Sequence, residues 1–110
     1  MAGFTAGTAM KLTELLNVME IEEMVGPDGL MISAICCDSR QVKQGSLFFA
    51  LPGTKLDGLH YVPEALEKGA SAIVAEHHPE QIPEDITLIL VKNVRRSMAL
   101  AANYYYRQPS

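Results

Sequence analysis

Four short segments of this chain are apolar almost throughout, and they constrain the fold more than any other feature. None alternates regularly between apolar and polar side chains, and they span residues 30–37, 46–51, 72–75 and 86–91. A strand with one solvated face would alternate, whereas a strand buried on both faces is apolar along its whole length. The segments therefore predict a sheet that is covered on both sides.

Stretches with helical periodicity lie around these segments and predict the helices that cover the sheet. Three stretches place apolar residues three or four positions apart: Leu12, Leu15, Leu16 and Met19; Val62, Ala65, Leu66 and Gly69; and Val94, Met98, Ala101 and Tyr105. Pro63 suits a first helical turn, and Asn93 can cap the last helix. The order of helices and strands predicts a single α/β domain with a small sheet, mostly parallel or mixed, flanked by helices.

Length and charge limit the possible classes of protein. The 110 residues allow one core, and the net charge of −4 without any run of Lys or Arg argues against nucleic acid or a membrane surface as a partner. We expect a cytoplasmic monomer with reduced thiols, because a bridge between the adjacent Cys36 and Cys37 would be strained. Residues 1–9 are interpreted as a flexible leader or a cloning remnant, which leaves 10–110 as the domain.

Common catalytic and metal-binding motifs do not occur in the sequence. There is no Gly-Lys pair, so an ATP-binding P-loop is absent, and the spaced glycines of a dinucleotide fold are missing. His77 and His78 are adjacent and cannot easily converge on one ion, so a solvated loop is the better interpretation. We therefore predict no catalytic residue and no metal site in this chain.

Two loops that follow apolar strands carry a set of polar side chains suited to a ligand. Ligands of such sheets bind beyond the strand ends, where the loops can diverge. Each loop combines a hydroxyl with a cation: Ser39 with Arg40 in the first, and Thr54 with Lys55 in the second. A nucleotide needs hydroxyls for its base and ribose and cations for its phosphates.

A simpler interpretation of the first loop is equally open on the residues alone. Asp38 and Arg40 could pair at the surface and merely hold the loop together, which would contribute little to stability.

A set of spaced residues resembles the N-terminal domain of the Mur ligases, and the resemblance runs from about residue 12 to residue 110. It is closest to the branch that makes the UDP-N-acetylmuramyl-tripeptide. The residues that carry it are Asp38-Ser39-Arg40, Val42, Gly45, Leu47-Phe48, Ala50-Leu51, Gly53, Asp57-Gly58, Ala65, Gly69-Ala70 and Ala72.

The resemblance implies that this domain binds the UDP end of UDP-N-acetylmuramoyl-L-Ala-D-Glu. Carried over by position, the implied contacts are Ser39 and Cys37 on the first loop and Thr54, Lys55 and Leu56 on the second, with Asp38, Arg40 and Gly53 as supporting residues.

The resemblance also implies a larger parent enzyme for peptidoglycan synthesis. Its ATP and Mg²⁺ would bind through a central domain after Ser110, and a C-terminal domain would take the diamino acid, meso-diaminopimelate or L-lysine. No cofactor is expected in this piece. Two alternatives remain: the branch that adds D-Ala-D-Ala, and a non-catalytic interaction module with the same fold.

Overall fold

The computed structural model describes residues 9–53, 58–79 and 81–107. In chain order the strands and helices are β1 (Met10–Lys11), α1 (Leu12–Leu16), β2 (Ile21–Val25), β3 (Met31–Ile32), β4 (Ala34–Cys36), β5 (Ser46–Phe49), α2 (Val62–Glu67), β6 (Ala72–Ala75), β7 (Thr87–Val91) and α3 (Val94–Arg107). Two 3-10 turns, Ser39–Gln41 and Gly58–Tyr61, lie between β4 and β5 and before α2.

The main sheet has five strands in the order β2-β7-β6-β5-β4. Strands β4 to β7 are parallel to their neighbours, whereas β2 runs antiparallel to β7 at one edge. A second, two-stranded sheet joins β1 to β3. The predicted small mixed sheet flanked by helices is confirmed.

The three central strands, β5 to β7, are buried on both faces, as their apolar sequences predicted, whereas the edge strand β4, from the segment 30–37, is only half-buried. In β6, Ala72 and Val74 belong to one hydrophobic cluster, and the alternate residues Ile73 and Ala75 belong to another. The first cluster includes residues of α1 and α3, whereas the second includes Val62 and Ala65 of α2. Helices therefore cover both sides.

Strand β2 was not predicted. Of its three apolar residues, Ile21 and Met24 are half-buried, whereas Val25 is exposed, as are Glu22 and Glu23. Antiparallel pairing with β7 provides backbone hydrogen bonds along one side of this edge strand, and the partner lies far away in sequence. The alternation expected of a single-faced strand is too short here to be recognised.

The first predicted helix and strand were too long. The helix ends at Leu16, although the predicted pattern extended to Met19, and Met10 and Lys11 before it pair with β3. The segment 30–37 is divided at Ser33, whose amide and hydroxyl both donate to the turn before β5, at the carbonyl oxygens of Gly45 (2.9 Å) and Gln44 (2.7 Å). The two parts therefore join different sheets.

Among the described residues, no helix has both the length and the apolar character needed to cross a bilayer.

Candidate functional site

Parallel pairing places the starts of the two loops side by side. Cys36 of β4 pairs in register with Phe48 of β5, so the chain leaves both strands at the same edge of the sheet. Of the second loop, the structure describes the residues up to Gly53, which is exposed. Just before it, the carbonyl oxygen of Pro52 accepts a hydrogen bond from Arg95 of α3 at 3.3 Å. Thr54, Lys55 and Leu56 lie outside the described residues.

A cleft of about 610 Å³ opens beside the first loop. It is lined by four consecutive residues of that loop, by the residue just before α2 and by one residue of α2: Cys37, Asp38, Ser39, Arg40, Tyr61 and Glu64. The structure thus brings four of the predicted site residues together in one cavity.

Asp38 and Arg40 form a compact ion pair. The Asp38 carboxylate accepts hydrogen bonds from the backbone amide of Arg40 (2.9 Å) and from its Nε (3.1 Å) and Nη2 (2.9 Å). The side-chain bonds, followed by the amide bond, lower the pKa of Asp38 to about 2. The Arg40 side chain is 81% exposed. The pair therefore closes the 3-10 turn, as the simpler interpretation of the loop expected, and it leaves a guanidinium at the rim of the cleft.

Ser39 is only 5% exposed, and its hydroxyl is held by α2. Its Oγ donates a hydrogen bond to Oε1 of Glu64 at 2.8 Å. The Nζ of Lys68, one helical turn further, lies 3.3 Å from Oε2 of Glu64 and donates to the carbonyl oxygen of Arg40 at 3.3 Å. The bond from Ser39, and then that from Lys68, lowers the pKa of Glu64, so this carboxyl is ionised near neutral pH.

The two cysteines have different environments. Both are free thiols, as predicted. Cys37 is exposed and lines the cleft, whereas Cys36 is half-buried, and burial raises the pKa of its thiol. A bulky or thiol-reactive ligand in the cleft would therefore meet Cys37 first.

The sequence analysis missed Tyr61 and Glu64. The signal for Glu64 was its spacing of four residues from Lys68, which is typical of an ion pair on a helix surface. That spacing could not show that the pair would contact the first loop. Tyr61 is 37% exposed and lies at the end of a 3-10 turn, where its ring makes an edge contact with His60 at a centroid distance of 5.2 Å.

No group of three or more His, Cys, Asp or Glu in the described part of the chain could hold a metal ion. His78, one of the adjacent histidines, contacts the carbonyl oxygen of Pro79 through Nδ1 at 3.0 Å.

Comparison with known proteins agrees with the fold and with the sequence. The model of the Mur ligase family, catalytic domain, matches residues 31–106. The chain belongs to the Mur ligase family. Among curated Mur ligases, it is 40% identical over 101 residues to the UDP-N-acetylmuramoyl-L-alanyl-D-glutamate--2,6-diaminopimelate ligase of Bacteroides fragilis, and 40% identical over 101 residues to that of Geobacter metallireducens.

These alignments cover 92% of the chain but only 21% and 20% of the two relatives. The chain therefore spans about a fifth of the length of the Mur ligases it matches.

Solved Mur ligase structures share the backbone. A MurF from Acinetobacter baumannii superposes with a TM-score of 0.74 over 91% of this chain and 21% of that one, at 20% identity. The MurF ligase from Thermotoga maritima in complex with ADP gives a TM-score of 0.55 over 64% of this chain and 16% of that one, at 30% identity. The resemblance found in the sequence is confirmed at the level of family and fold.

Proposed function

We propose that residues 10–110 form the UDP-binding domain of a Mur ligase and hold the UDP end of UDP-N-acetylmuramoyl-L-Ala-D-Glu. The observation that carries the proposal is the cleft of about 610 Å³ at the carboxyl edge of the sheet, lined by residues 37–40. Cys37 and Ser39, the two first-loop contacts carried over from the family, both lie in its wall. This edge is where sheets of this class bind their ligands.

The charges of the cleft favour the nucleoside over the phosphates. Its described wall carries two carboxylates, Asp38 and Glu64, and one guanidinium, which is already paired. A diphosphate beside them would be repelled, whereas uracil and ribose are neutral and need hydrogen-bonding groups and an apolar face, which Tyr61 offers. We therefore place the nucleoside in the cleft and the diphosphate towards the second loop, with Thr54, Lys55 and Leu56 as its proposed contacts.

The parent protein, in this proposal, is an ATP-dependent ligase of peptidoglycan precursor synthesis in the cytoplasm. The names of the relatives favour 2,6-diaminopimelate over L-lysine as the amino acid that it adds. ATP and Mg²⁺ would bind through further domains, since the sequence has no Gly-Lys pair for an ATP loop. This domain would contribute binding energy that positions the distant reacting carboxylate.

A D-Ala-D-Ala-adding ligase is the second candidate, and the backbone likeness to MurF favours it. The 40% identity to diaminopimelate ligases exceeds the 20% identity to that MurF, so we prefer the first. A non-catalytic module is the remaining alternative. A Gly-Lys-Thr loop encoded soon after Ser110 would exclude it.

Titration with UDP, followed by ¹⁵N amide shifts, tests the proposal. We expect shifts grouped at residues 37–40, 61 and 64, and weaker shifts with CDP or ADP. Ser39→Ala should raise the dissociation constant for UDP about tenfold by removing one hydrogen bond. Ser71→Ala, just before β6 and therefore at the other end of the parallel strands, should leave this constant unchanged.

Two results would contradict this function. One is the absence of shifts at millimolar UDP. The other is a set of shifts confined to a different cavity, such as the groove of about 620 Å³ that α2 forms with Pro79, Gln81, Ile82 and Pro83.

A further inference from the structure

The Ser39 hydroxyl lies between the cleft and a carboxylate, and this fixes the direction of its hydrogen bonds. An ionised carboxylate has acceptors only, so the single proton of Ser39 is committed to Glu64 at 2.8 Å. What remains on Oγ for a ligand is its two acceptor lone pairs. Ser39 can therefore accept a hydrogen bond from the ligand but cannot donate one.

Lys68 holds the Glu64 carboxylate in this role. Its ammonium lies 3.3 Å from Oε2, and it also donates to the carbonyl oxygen of Arg40 on the first loop. An ammonium can only donate hydrogen bonds, so the atom of residue 64 that faces Lys68 must be an oxygen. One carboxylate oxygen thus faces Lys68 and the other faces Ser39, and both positions need an acceptor.

We propose that Glu64 is a positioning residue that makes Ser39 an obligate hydrogen-bond acceptor, so that the cleft selects a ligand group that donates: a ribose hydroxyl or the N3–H of uracil. The inference rests on the function proposed above. It also explains why a buried serine suits a nucleoside better than a phosphate, since phosphate oxygens offer no proton near neutral pH. The competing interpretation is that Glu64 only fastens α2 to the first loop.

Glu64→Gln separates these interpretations, because the side chain keeps its shape while one oxygen becomes a donor. Lys68 attracts the remaining carbonyl oxygen, so the amide N–H turns to Ser39 and the serine proton is released towards the ligand. We expect the dissociation constant for UDP to rise about tenfold in the ¹⁵N titration. Glu67→Gln, an exposed position on the same helix, is the matched control and should stay within about twofold.

A rescue experiment gives a result that mere fastening does not predict. In the Glu64→Gln, Lys68→Met double variant the amide is free to turn its oxygen back to Ser39. The dissociation constant should return to within about twofold of that of Lys68→Met alone. If Glu64 and Lys68 only fasten the loop, the double variant loses both contacts and binds more weakly than either single variant. In a Ser39→Ala background, Glu64→Gln should have no further effect.

Ligand analogues test the same claim on the unchanged protein. UDP methylated at N3 lacks the uracil donor, and 2′,3′-dideoxy-UDP lacks the ribose donors. At least one of these analogues should bind the wild-type chain about fivefold more weakly than UDP does. The same analogue should bind the Ser39→Ala variant no more weakly than UDP binds that variant. If neither analogue differs from UDP, or if rescue fails, Glu64 has no positioning role although UDP still binds. Failure of the wild-type chain to bind UDP at all would overturn the proposed function and this inference with it.

Discussion

The ionisation of Asp38 in the first loop makes the stability of the fold depend on pH. Its carboxylate accepts three hydrogen bonds from Arg40, one of them from the backbone amide at the start of the 3-10 turn. These bonds stabilise the ionised form and hold the pKa at about 2, below the ordinary value of 3.8. Because the folded-state pKa is the lower one, the stabilisation is complete above the unfolded-state pKa and disappears as pH falls through about 2.

Asp38→Asn should therefore reduce the free energy of unfolding most at about pH 5 and least at about pH 2. Urea unfolding of the wild type and the variant at intervals over this range would measure the difference. Asp28→Asn, in an exposed turn, is the control. A difference that stays constant with pH would show that the carboxylate charge does not contribute.

Helix α3 is the longest element, and its first turn is capped by two different side chains. Oδ1 of Asn93 accepts a hydrogen bond from the amide of Arg96 at 3.0 Å, as the sequence predicted. Oε2 of Glu76, at the end of β6, accepts from the amide of Val94 at 2.9 Å. The second cap requires a contact between distant segments and was not predicted. Together they satisfy backbone donors that no helical carbonyl can reach.

Asn93→Ala should cost about 1 kcal/mol in the free energy of unfolding, because it removes the side-chain acceptor. Asn93→Asp keeps an acceptor and should cost less than about 0.5 kcal/mol. Chemical denaturation would measure both. Asn103→Ala, exposed within the same helix, should be neutral or slightly stabilising, because alanine has the higher helix propensity. An equal loss at both positions would contradict a specific cap at Asn93.

The sheet separates two hydrophobic cores, one on each face. One core lies under α1 and α3, and the other lies under α2, which places Glu64 beside the first loop. Gly69 follows α2 with a positive φ of 108°, and a Cβ there would lie 2.8 Å from the Cα of Gln44. Only glycine fits this close approach between the end of α2 and the turn before β5.

Ile73→Val and Ile89→Val provide a matched pair for the two cores. Both side chains are 0% exposed, and they lie in opposite clusters. Each substitution should cost about 1 kcal/mol in the free energy of unfolding, whereas Ile82→Val, which is half-buried, should cost less. Thermal and chemical unfolding, each showing a single transition, would measure this. A loss at only one of the two buried positions would mean that the cores do not contribute equally.

Elements whose signal is local could be predicted from the residues alone. The strands at 46–51, 72–75 and 86–91 were placed within two residues of their ends, and so was the helix with Pro63 in its first turn. The cap at Asn93 was predicted for the same reason, since a cap depends on neighbouring residues. The family could also be identified from the sequence, because residues typical of the Mur ligases occur at the expected spacing along the chain.

Contacts between distant segments set the strand order, the strand Ile21–Val25 and the division at Ser33. Each depends on a partner remote in sequence, and periodicity carries no information about partners. The same applies to the cleft. Glu64 lies 25 residues after Ser39, and only the packing of α2 beside the first loop brings the carboxylate to the hydroxyl. A local pattern fixes which face of an element is apolar, but the packing of those faces against each other fixes which polar groups meet.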